Sequence, residues 1–252
     1  MRARARIVAT GDGVTSRVAE LRGDPPLLPR LTGPRGARVA RVHLVGGAAG
    51  PLAGDDLRLE IEVGPRAHLR VRTVAASMAL PSRVGGESLL TVHATVAAGG
   101  RLEWLPEPLI AAAGCHHHSV STVELDAGAS LVWREELVCG RHGERPGDAR
   151  LTTSVHYAGR ALYRNEFAVG PAVAAWAGPA VLGDGGAAGT LLLVDPMWTD
   201  GGRPVAAAYG DRAALLPLAG PAVLVSAVGP DARAVRAALD RGVLAVPLTA
   251  PA

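Results

Sequence analysis

The stretch Leu57-Arg58-Leu59-Glu60-Ile61-Glu62-Val63 alternates apolar and charged residues without a break. A period of two places the apolar side chains on one face and the charged ones on the other, which is typical of a half-buried β-strand. Residues 68–74 repeat the alternation after the pair Gly64-Pro65. Because proline fixes φ and glycine tolerates positive φ, that pair indicates a tight turn. The sequence therefore predicts two consecutive strands joined by a turn.

The same unit of strand, glycine turn and strand recurs along the chain. Its copies align on Leu69, Leu102, Leu131 and, more faintly, Leu162, which are 33, 29 and 31 residues apart. A period near 30 residues is typical of one supersecondary unit stacked on itself. No long helical pattern intervenes, which disfavours a βαβ sheet. We predict a mainly β fold, a helicoidal or solenoid-like stack of antiparallel strand pairs, with a β-sandwich as the alternative.

The C-terminal third has a different pattern. Residues 176–189 are rich in Gly and Ala and predict a loop, and residues 190–194 and 222–228 predict buried strands. One or two helices are expected near the C-terminus; the clearest spans 230–241, with Gly242 at its C-cap position. Residues 243–248 predict a last strand. Since no linker-like segment separates this region, we expect one domain over residues 1–252, closed by residues 171–252.

Composition and charge disfavour several classes of function. All 26 basic residues are arginine and the net charge is +3, but the arginines are dispersed along the chain. Nucleic-acid binding usually requires a basic patch, so we expect none. No segment approaches the roughly 18 apolar residues of a membrane span, and no signal-peptide core is present. Two cysteines do not make a disulfide framework, and we expect a cytoplasmic protein.

The glycine-rich loop over residues 46–56 resembles a phosphate-binding loop at first sight. A dinucleotide fingerprint requires a helix after the loop, and here Gly54-Asp55-Asp56 leads into the strand at 57–63. Without a helix N-terminus to hold a pyrophosphate, nucleotide binding is excluded. What remains is a tight turn presenting Asp55 and Asp56, and such aspartates commonly accept local backbone hydrogen bonds.

A second group of residues has the chemistry of a metal site. In Cys115-His116-His117-His118, strand alternation places Cys115 and His117 on one face and His116 and His118 on the other. Thiolate and imidazole suit Ni, Zn or Cu, but a closed site requires further ligands. The segment Cys139-Gly140-Arg141-His142 is the obvious supplier. The alternative is that the histidines are exposed and Cys115 fills a small space in the core.

Strand alternation also separates two neighbouring carboxylates. Glu135 shares a face with Trp133 and Leu137 and is expected to point inward, where a carboxylate must be paired, hydrated or functional. Glu136 then lies on the other face with Arg134, unless a bulge exchanges the two roles. No motif of a hydrolase, a zinc protease or a cysteine nucleophile is present, and we expect no enzymatic activity.

Four segments in order resemble the UreD (UreH) family of urease accessory proteins, in particular its shorter members from high-GC actinobacteria. The resemblance covers residues 40–170 best. The segments are Gly46-Gly47 with Gly54-Asp55-Asp56-Leu57; residues 64–76; the strand Leu102-Glu103-Trp104-Leu105-Pro106-Glu107-Pro108; and Glu136 with Gly140-Arg141. The chain departs from the family where many members carry a lysine, because it has Met78 followed by Leu80-Pro81.

The resemblance implies a non-catalytic scaffold in a hetero-oligomeric maturation complex, with dimerisation through a UreF-like protein. Its partners would be apo-urease and UreF-like and UreG-like proteins. Nickel would pass through an internal passage rather than bind tightly as a cofactor, since transit requires binding loose enough to release. Asp55 and Glu136 become candidates for lining that passage. The rival hypothesis is a β-solenoid metalloenzyme that uses Cys115, His116, His118 and His142.

Overall fold

The structure, a computed structural model, describes residues 1–83, 85–199 and 202–244. Eighteen strands and one α-helix follow in chain order within these residues: β1 Arg2–Gly11, β2 Ser16–Gly23, β3 Leu27–Leu31, β4 Ala40–Gly46, β5 Asp56–Val63, β6 His68–Thr73, β7 Ser77–Ala79, β8 Ser88–Val96, β9 Arg101–Leu105, β10 Leu109–Ala111, β11 His116–Leu125, β12 Ser130–Val138, β13 Asp148–Tyr157, β14 Arg160–Val169, β15 Ala187–Val194, β16 Ala207–Ala208, β17 Ala213–Pro217, β18 Ala222–Gly229 and α1 Ala232–Leu244. A 3-10 turn at Pro196–Trp198 follows β15. The predicted mainly β class, with one or two helices near the C-terminus, is confirmed.

The described strands form two sheets. The seven-strand sheet has the order β14-β13-β11-β8-β5-β1-β2. The eleven-strand sheet runs β16-β17-β18-β15-β12-β9-β6-β4-β3, with β7 and β10 paired to each other and β10 also to β12. From β4 to β13 the chain crosses repeatedly between the sheets, so that β5 with β6, β8 with β9 and β11 with β12 each form one coil of a solenoid-like stack. The short β7 and β10 extend the eleven-strand sheet after β6 and β9.

Strand pairing within the stack differs from the expected antiparallel pairs. The two strands of a coil, such as β5 and β6, lie in different sheets, and each pairs in parallel with its equivalent in the next coil. Antiparallel pairing is confined to the margins: β1 with β2, β3 with β4, β13 with β14, and the run from β12 through β15 and β18 to β17 and β16. Alternation along a strand shows which residues share a face, but it does not show which strand lies beside it. The sequence therefore did not reveal this arrangement.

The leucine spacing predicted the register of the stack for three of its four copies. Leu69 pairs with Leu102, and Leu102 with Leu131, so the three lie side by side on neighbouring strands, each fully buried. The fourth assignment is wrong. Leu162 lies on β14, in the seven-strand sheet, because the turn after β13 forms a hairpin instead of crossing to the other sheet.

The turns between sheets are equivalent in three coils. Arg66, Gly99 and Gly128 each stand three residues before an aligned leucine, and their φ angles are 54°, 71° and 86°. Two of the three coils use glycine at this left-handed position, where a side chain is disfavoured. Arg66 takes the same conformation without that freedom, so the local strain in its turn is offset by the rest of the coil.

The core lies between the two sheets. Trp104 and Trp133 pair in register on β9 and β12 and stack with ring centroids 5.4 Å apart. A second apolar cluster lies on the outer side of the eleven-strand sheet, where α1 buries Val235, Ala238 and Leu239. The helix comes close because β15 has Gly189, at which a Cβ would stand 2.8 Å from Val235 Cγ1.

The predicted C-terminal elements are mostly present. The strands at 190–194 and 222–228 correspond to β15 and β18, and the helix predicted over 230–241 is α1. The expected strand at 243–248 is wrong at its start, because α1 runs through Gly242 to Leu244. Gly242 packs closely against Val225, where an added Cβ would lie 2.6 Å from Val225 Cγ1, and the rest of the predicted strand lies outside the described residues.

Candidate functional site

An internal cavity of about 430 Å³ lies between the two sheets. Its lining includes exposed residues of two loops, Ala48-Ala49 and Val74-Ala75-Ala76, so it reaches the surface there. Most of the wall is apolar. The polar side chains on the wall are Thr73, Ser77, Glu107, His117, Ser119, Ser121, Glu135 and Glu136.

Three of these polar side chains form a file along β11. His117, Ser119 and Ser121 occupy successive inward positions and are buried, because a strand points every second residue to the same face. His117 Nδ1 lies 2.8 Å from Ser88 Oγ, and its Nε2 lies 3.0 Å from Ser119 Oγ. We refer to residues 117, 119 and 121 as the polar file. It takes hydrogen-bonding groups into a core that is otherwise apolar.

His117 is neutral at physiological pH. Burial, together with the neighbouring His118, lowers its pKa to about 4. A neutral imidazole donates at one ring nitrogen and offers a lone pair at the other, which is the form that binds transition metals. The two serine hydroxyls hold the ring in place, and either can rotate to donate or accept.

Glu135 stands beside the far end of the polar file. Thr153 Oγ1 lies 2.7 Å from both carboxylate oxygens, and Ser121 Oγ lies 3.4 Å from Oε1. Glu135 borders the cavity and is otherwise enclosed by protein, so loss of hydration raises its pKa despite these hydroxyls. It forms no ion pair with any described residue. A largely desolvated carboxylate without a counter-ion attracts a cation.

Glu136, the next residue, has the opposite environment. Arg236 Nε of α1 lies 2.8 and 2.9 Å from its two oxygens, and Arg134 Nε lies 3.3 Å from Oε2. Glu107 joins this network through Arg236 Nη2 at 3.3 Å. Glu136 therefore lines the cavity wall, but the two arginines already neutralise its charge. The inward and outward assignments predicted for Glu135 and Glu136 are confirmed.

Asp55 lies away from the cavity wall. Its Oδ1 is 2.7 Å from the amino group of Met1, and its Oδ2 accepts a hydrogen bond from the Leu52 amide at 2.9 Å. Asp55 thus stabilises the turn in the manner of a buried loop aspartate. Its neighbour Asp56 is on the outer face of the sheet, where the Arg58 guanidinium lowers its pKa.

The predicted cysteine and histidine ligands are dispersed. As the alternation predicts, Cys115 and His117 point inward and His116 and His118 outward. His116 Nε2 is 3.5 Å from Glu87, His118 Nε2 bonds Thr152, and His142 is exposed on a separate turn. Among the described residues no group of three or more His, Cys, Asp or Glu side chains is arranged to hold a metal.

The two thiols are also poor ligands in their present environments. Burial raises the pKa of Cys115 and of Cys139 to about 11. Both therefore stay protonated near neutral pH, and metal binding would have to displace a firmly held proton. Neither sulfur is on the cavity wall.

The glycine and tryptophan motif residues have structural positions. Gly46 ends β4 and lines the cavity mouth, and Gly47 follows it in the loop. Gly54 and Gly140 adopt φ angles of 89° and 85°, as their turns require. Trp104 forms the indole stack.

Pro106 has a separate role beside that stack. Its carbonyl accepts a hydrogen bond of 2.8 Å from Arg134 Nη2. Met78 lines the cavity.

The polar file is the part of the site that sequence reasoning missed. Its signal was available, since His117, Ser119 and Ser121 occupy the alternating positions that continue into Val123 and Leu125 in the core. Polar residues on the apolar face of a strand indicate either an internal hydrogen-bond network or an internal cavity. Thr153 and Ser88 come from other strands, and no local pattern connects them with β11.

Comparison with known proteins decides the family. A family model described as UreD urease accessory protein matches residues 1–250. The chain belongs to the UreD family. Urease accessory protein UreD of Parafrankia sp. is 45% identical, covering 100% of this chain and 91% of that protein. The protein of the same name from Streptomyces avermitilis is 45% identical over 95% of each chain, and that of Streptomyces coelicolor is 42% identical over 95% of this chain and 94% of its own.

Membership of the UreD family agrees with the resemblance carried by the four sequence segments. These relatives are named as urease accessory proteins. Across the part of the chain that the structure describes, no helix has the length and hydropathy needed to cross a lipid bilayer.

Proposed function

We propose that this UreD protein is a non-catalytic scaffold that passes nickel through its internal cavity towards apo-urease in the cytoplasm. The observation that carries the proposal is Glu135, an enclosed carboxylate at the cavity wall with hydroxyl partners and no ion pair to a described residue. Such a group favours a passing divalent cation, which would supply the missing positive charge.

The chemistry of the wall suits a transient ligand set. Ser119, Ser121 and Glu135 offer oxygen donors and His117 one neutral imidazole. These weak, scattered groups bind a divalent cation less tightly than a closed set of thiolates, so a cation can move on. In this proposal Glu136 contributes at the wall only when Arg236 releases it. The transit roles of Asp55, Cys115, His116, His118 and His142 remain predictions.

The proposed partners are apo-urease and UreF-like and UreG-like proteins, in a hetero-oligomer. Family membership supports this assignment, because the relatives are named urease accessory proteins. The exposed cavity mouth at residues 48–49 and 74–76 offers a place where a partner would shield the cation from solvent.

The test is the nickel content of urease co-expressed with Glu135→Gln, measured by atomic absorption per urease active site. We expect a loss of roughly tenfold or more, because the amide keeps the shape and removes the charge. Glu62→Gln, on the exposed outer face of β5, is the matched control and should leave nickel unchanged. Full nickel occupancy with Glu135→Gln, at equal expression, would refute the transit role.

A further inference from the structure

The outer face of the eleven-strand sheet gathers arginines that are far apart in sequence. Along one row of paired residues, Arg30 faces His43, and His43 faces Arg72. Along the next row Arg41 faces Arg70, and Arg70 faces Glu103. Arg101 lies on the third row beside His68. The dispersed arginines of the sequence thus form a basic patch, contrary to the expectation from their spacing. We define the arginine face as Arg30, Arg41, Arg70, Arg72 and Arg101.

The arginine face holds more positive charge than its one acidic group neutralises. Glu103 is buried, takes His68 Nε2 at 2.6 Å and Arg70 Nε at 2.5 Å, and stands 3.4 Å from Arg101 Nε. These partners lower its pKa to about 2 against the effect of burial, so it is ionised at neutral pH. Arg30, Arg41 and Arg72 are exposed and form no ion pair with any described residue.

On the opposite side of the molecule, several arginines have carboxylate partners. On the outer face of the seven-strand sheet, Arg6 bonds Glu20, Glu60 and Glu62, and Arg150 bonds Glu166. Acidic partners thus accompany several arginines on that face, whereas Arg2, Arg4 and Arg164 form no ion pair with any described residue. Like charges directly opposite on neighbouring strands are destabilising, as for Arg41 and Arg70. The seven-strand sheet has such pairs as well, Arg4 with Arg58 and Arg6 with Arg22, and there Arg6, Arg22 and Arg58 have carboxylate partners.

The arginine face is also the part of its sheet that the C-terminal region leaves open. Val132, Leu191 and Val225 on the outer side of β12, β15 and β18 are covered by the cluster that includes α1. Within the described residues, strands β3, β4, β6 and β9 have no such cover, and their outward side chains are polar or charged apart from Leu28 and Val45 at one edge and Leu105 near the boundary.

We propose that the arginine face is a docking surface for an acidic protein surface. Guanidinium groups bind carboxylates through two parallel hydrogen bonds, and arginine is enriched at protein interfaces. The net charge of the five arginines and Glu103 is +4, since five positive charges meet one negative charge. An acidic partner would reduce the repulsion between Arg41 and Arg70. It would also supply carboxylates to Arg30, Arg41 and Arg72. Nucleic acid is the disfavoured ligand, because the outward positions of these strands hold no Phe, Tyr or Trp for base stacking.

The experiment uses the full chain, tagged and co-expressed with the partners named in the proposed function: its organism's urease subunits and UreF-like protein. The test variant carries Arg30→Glu, Arg41→Glu and Arg72→Glu. The matched control carries Arg2→Glu, Arg4→Glu and Arg164→Glu, which change the charge equally on exposed positions of the other sheet. We expect the test variant to retain roughly tenfold less of one identified partner, and the control to match the unmodified chain.

Equal retention by the two variants, or equal loss in both, overturns the inference. If circular dichroism shows that the charge-reversed chain is unfolded, a variant with Arg→Gln at the same three positions replaces it. That variant must also retain less of the partner than the control does. A fluorescent DNA duplex of about 20 base pairs provides the other arm at about 150 mM salt. Micromolar or tighter binding that the test variant loses would assign the face to nucleic acid and overturn the protein partner.

The design separates this inference from the transit proposal. The arginine face lies on the outer side of the sheet, whereas Glu135 faces the cavity. Loss of partner retention in the arginine variant, with normal nickel delivery when Glu135 is changed, would support docking and refute transit. The reverse result would support transit and refute docking.

Discussion

Glu136 on β12 and Arg236 on α1 stand one hundred residues apart in the chain and meet with Arg236 Nε 2.8 and 2.9 Å from the two carboxylate oxygens. Glu136 is buried, while Arg236 keeps part of its surface in solvent. The contact raises the pKa of Arg236 above its ordinary value. It ties the only described α-helix to the strand that borders the cavity.

Removing this contact should destabilise the protein measurably. We expect Arg236→Ala to lower the free energy of unfolding by about 2 kcal/mol, because Glu136 stays buried with Arg134 as its remaining counter-ion. Urea denaturation followed by circular dichroism measures the change. Arg233→Ala, exposed on the same helix, is the control and should change stability by less than about 0.5 kcal/mol. Equal effects of the two substitutions would argue against a tether.

Stability should depend on pH through His117. Its folded pKa is about 4, against about 6.5 in an unfolded chain. Between these values the unfolded chain binds the extra proton, so stability is complete above about pH 6.5 and falls towards pH 4, by about 3 kcal/mol in total. His117→Gln should remove this slope, whereas His93→Gln on the exposed face should retain it. Denaturation midpoints across this range decide the matter, and an unchanged slope in His117→Gln would contradict the assignment.

Glu135 should show a conflict between stability and function. Its folded pKa is raised, so the neutral form is favoured in the fold and stability falls as pH rises above about 4.3, the unfolded value. Glu135→Gln should therefore be more stable than the unmodified protein at about pH 8 and similar to it near pH 4. Thermal melts at both pH values test this. A variant that is less stable at the higher pH would indicate a structural rather than a functional carboxylate.

Arg66 offers a test of the coil turns. It holds a φ of 54° at the position where the next two coils have Gly99 and Gly128. We expect Arg66→Gly to stabilise the protein by about 0.5–1 kcal/mol, because relief of the left-handed strain exceeds the extra entropy of the unfolded chain. Arg66→Ala should not stabilise it, which distinguishes backbone relief from loss of the side chain. Chemical denaturation is sufficient for both variants.

Local alternation and spacing were enough to predict much of the fold. Residues 57–63 form β5 as expected, and the leucine spacing placed Leu69, Leu102 and Leu131 side by side because each coil repeats one path between the sheets. Leu162 matched the same pattern by residue type, but the chain there returns along its own sheet. A glycine turn of similar sequence closes both a hairpin and a crossover, so spacing could not separate them.

The candidate site was predictable only where one strand supplied it. The inward position of Glu135 followed from its neighbours on β12, whereas its hydroxyl partner Thr153 comes from β13 in the other sheet. The sequence contained no signal for the arginine face, since Arg41 and Arg70 are paired across the sheet on strands that lie far apart in sequence. Contacts between coils depend on the register of pairing, which a local pattern does not contain.

The two adjacent carboxylates of β12 limit the insertions and deletions that this protein can tolerate. Glu135 faces the cavity and Glu136 faces Arg236, so the register of the strand decides which of the two carboxylates points inward. Loss of a single codon between Trp133 and Glu135 would send Glu136 inward and leave Arg236 without its carboxylate. Length variation among descendants of this protein should therefore accumulate in the segments outside the coils, where one residue more or less moves no face.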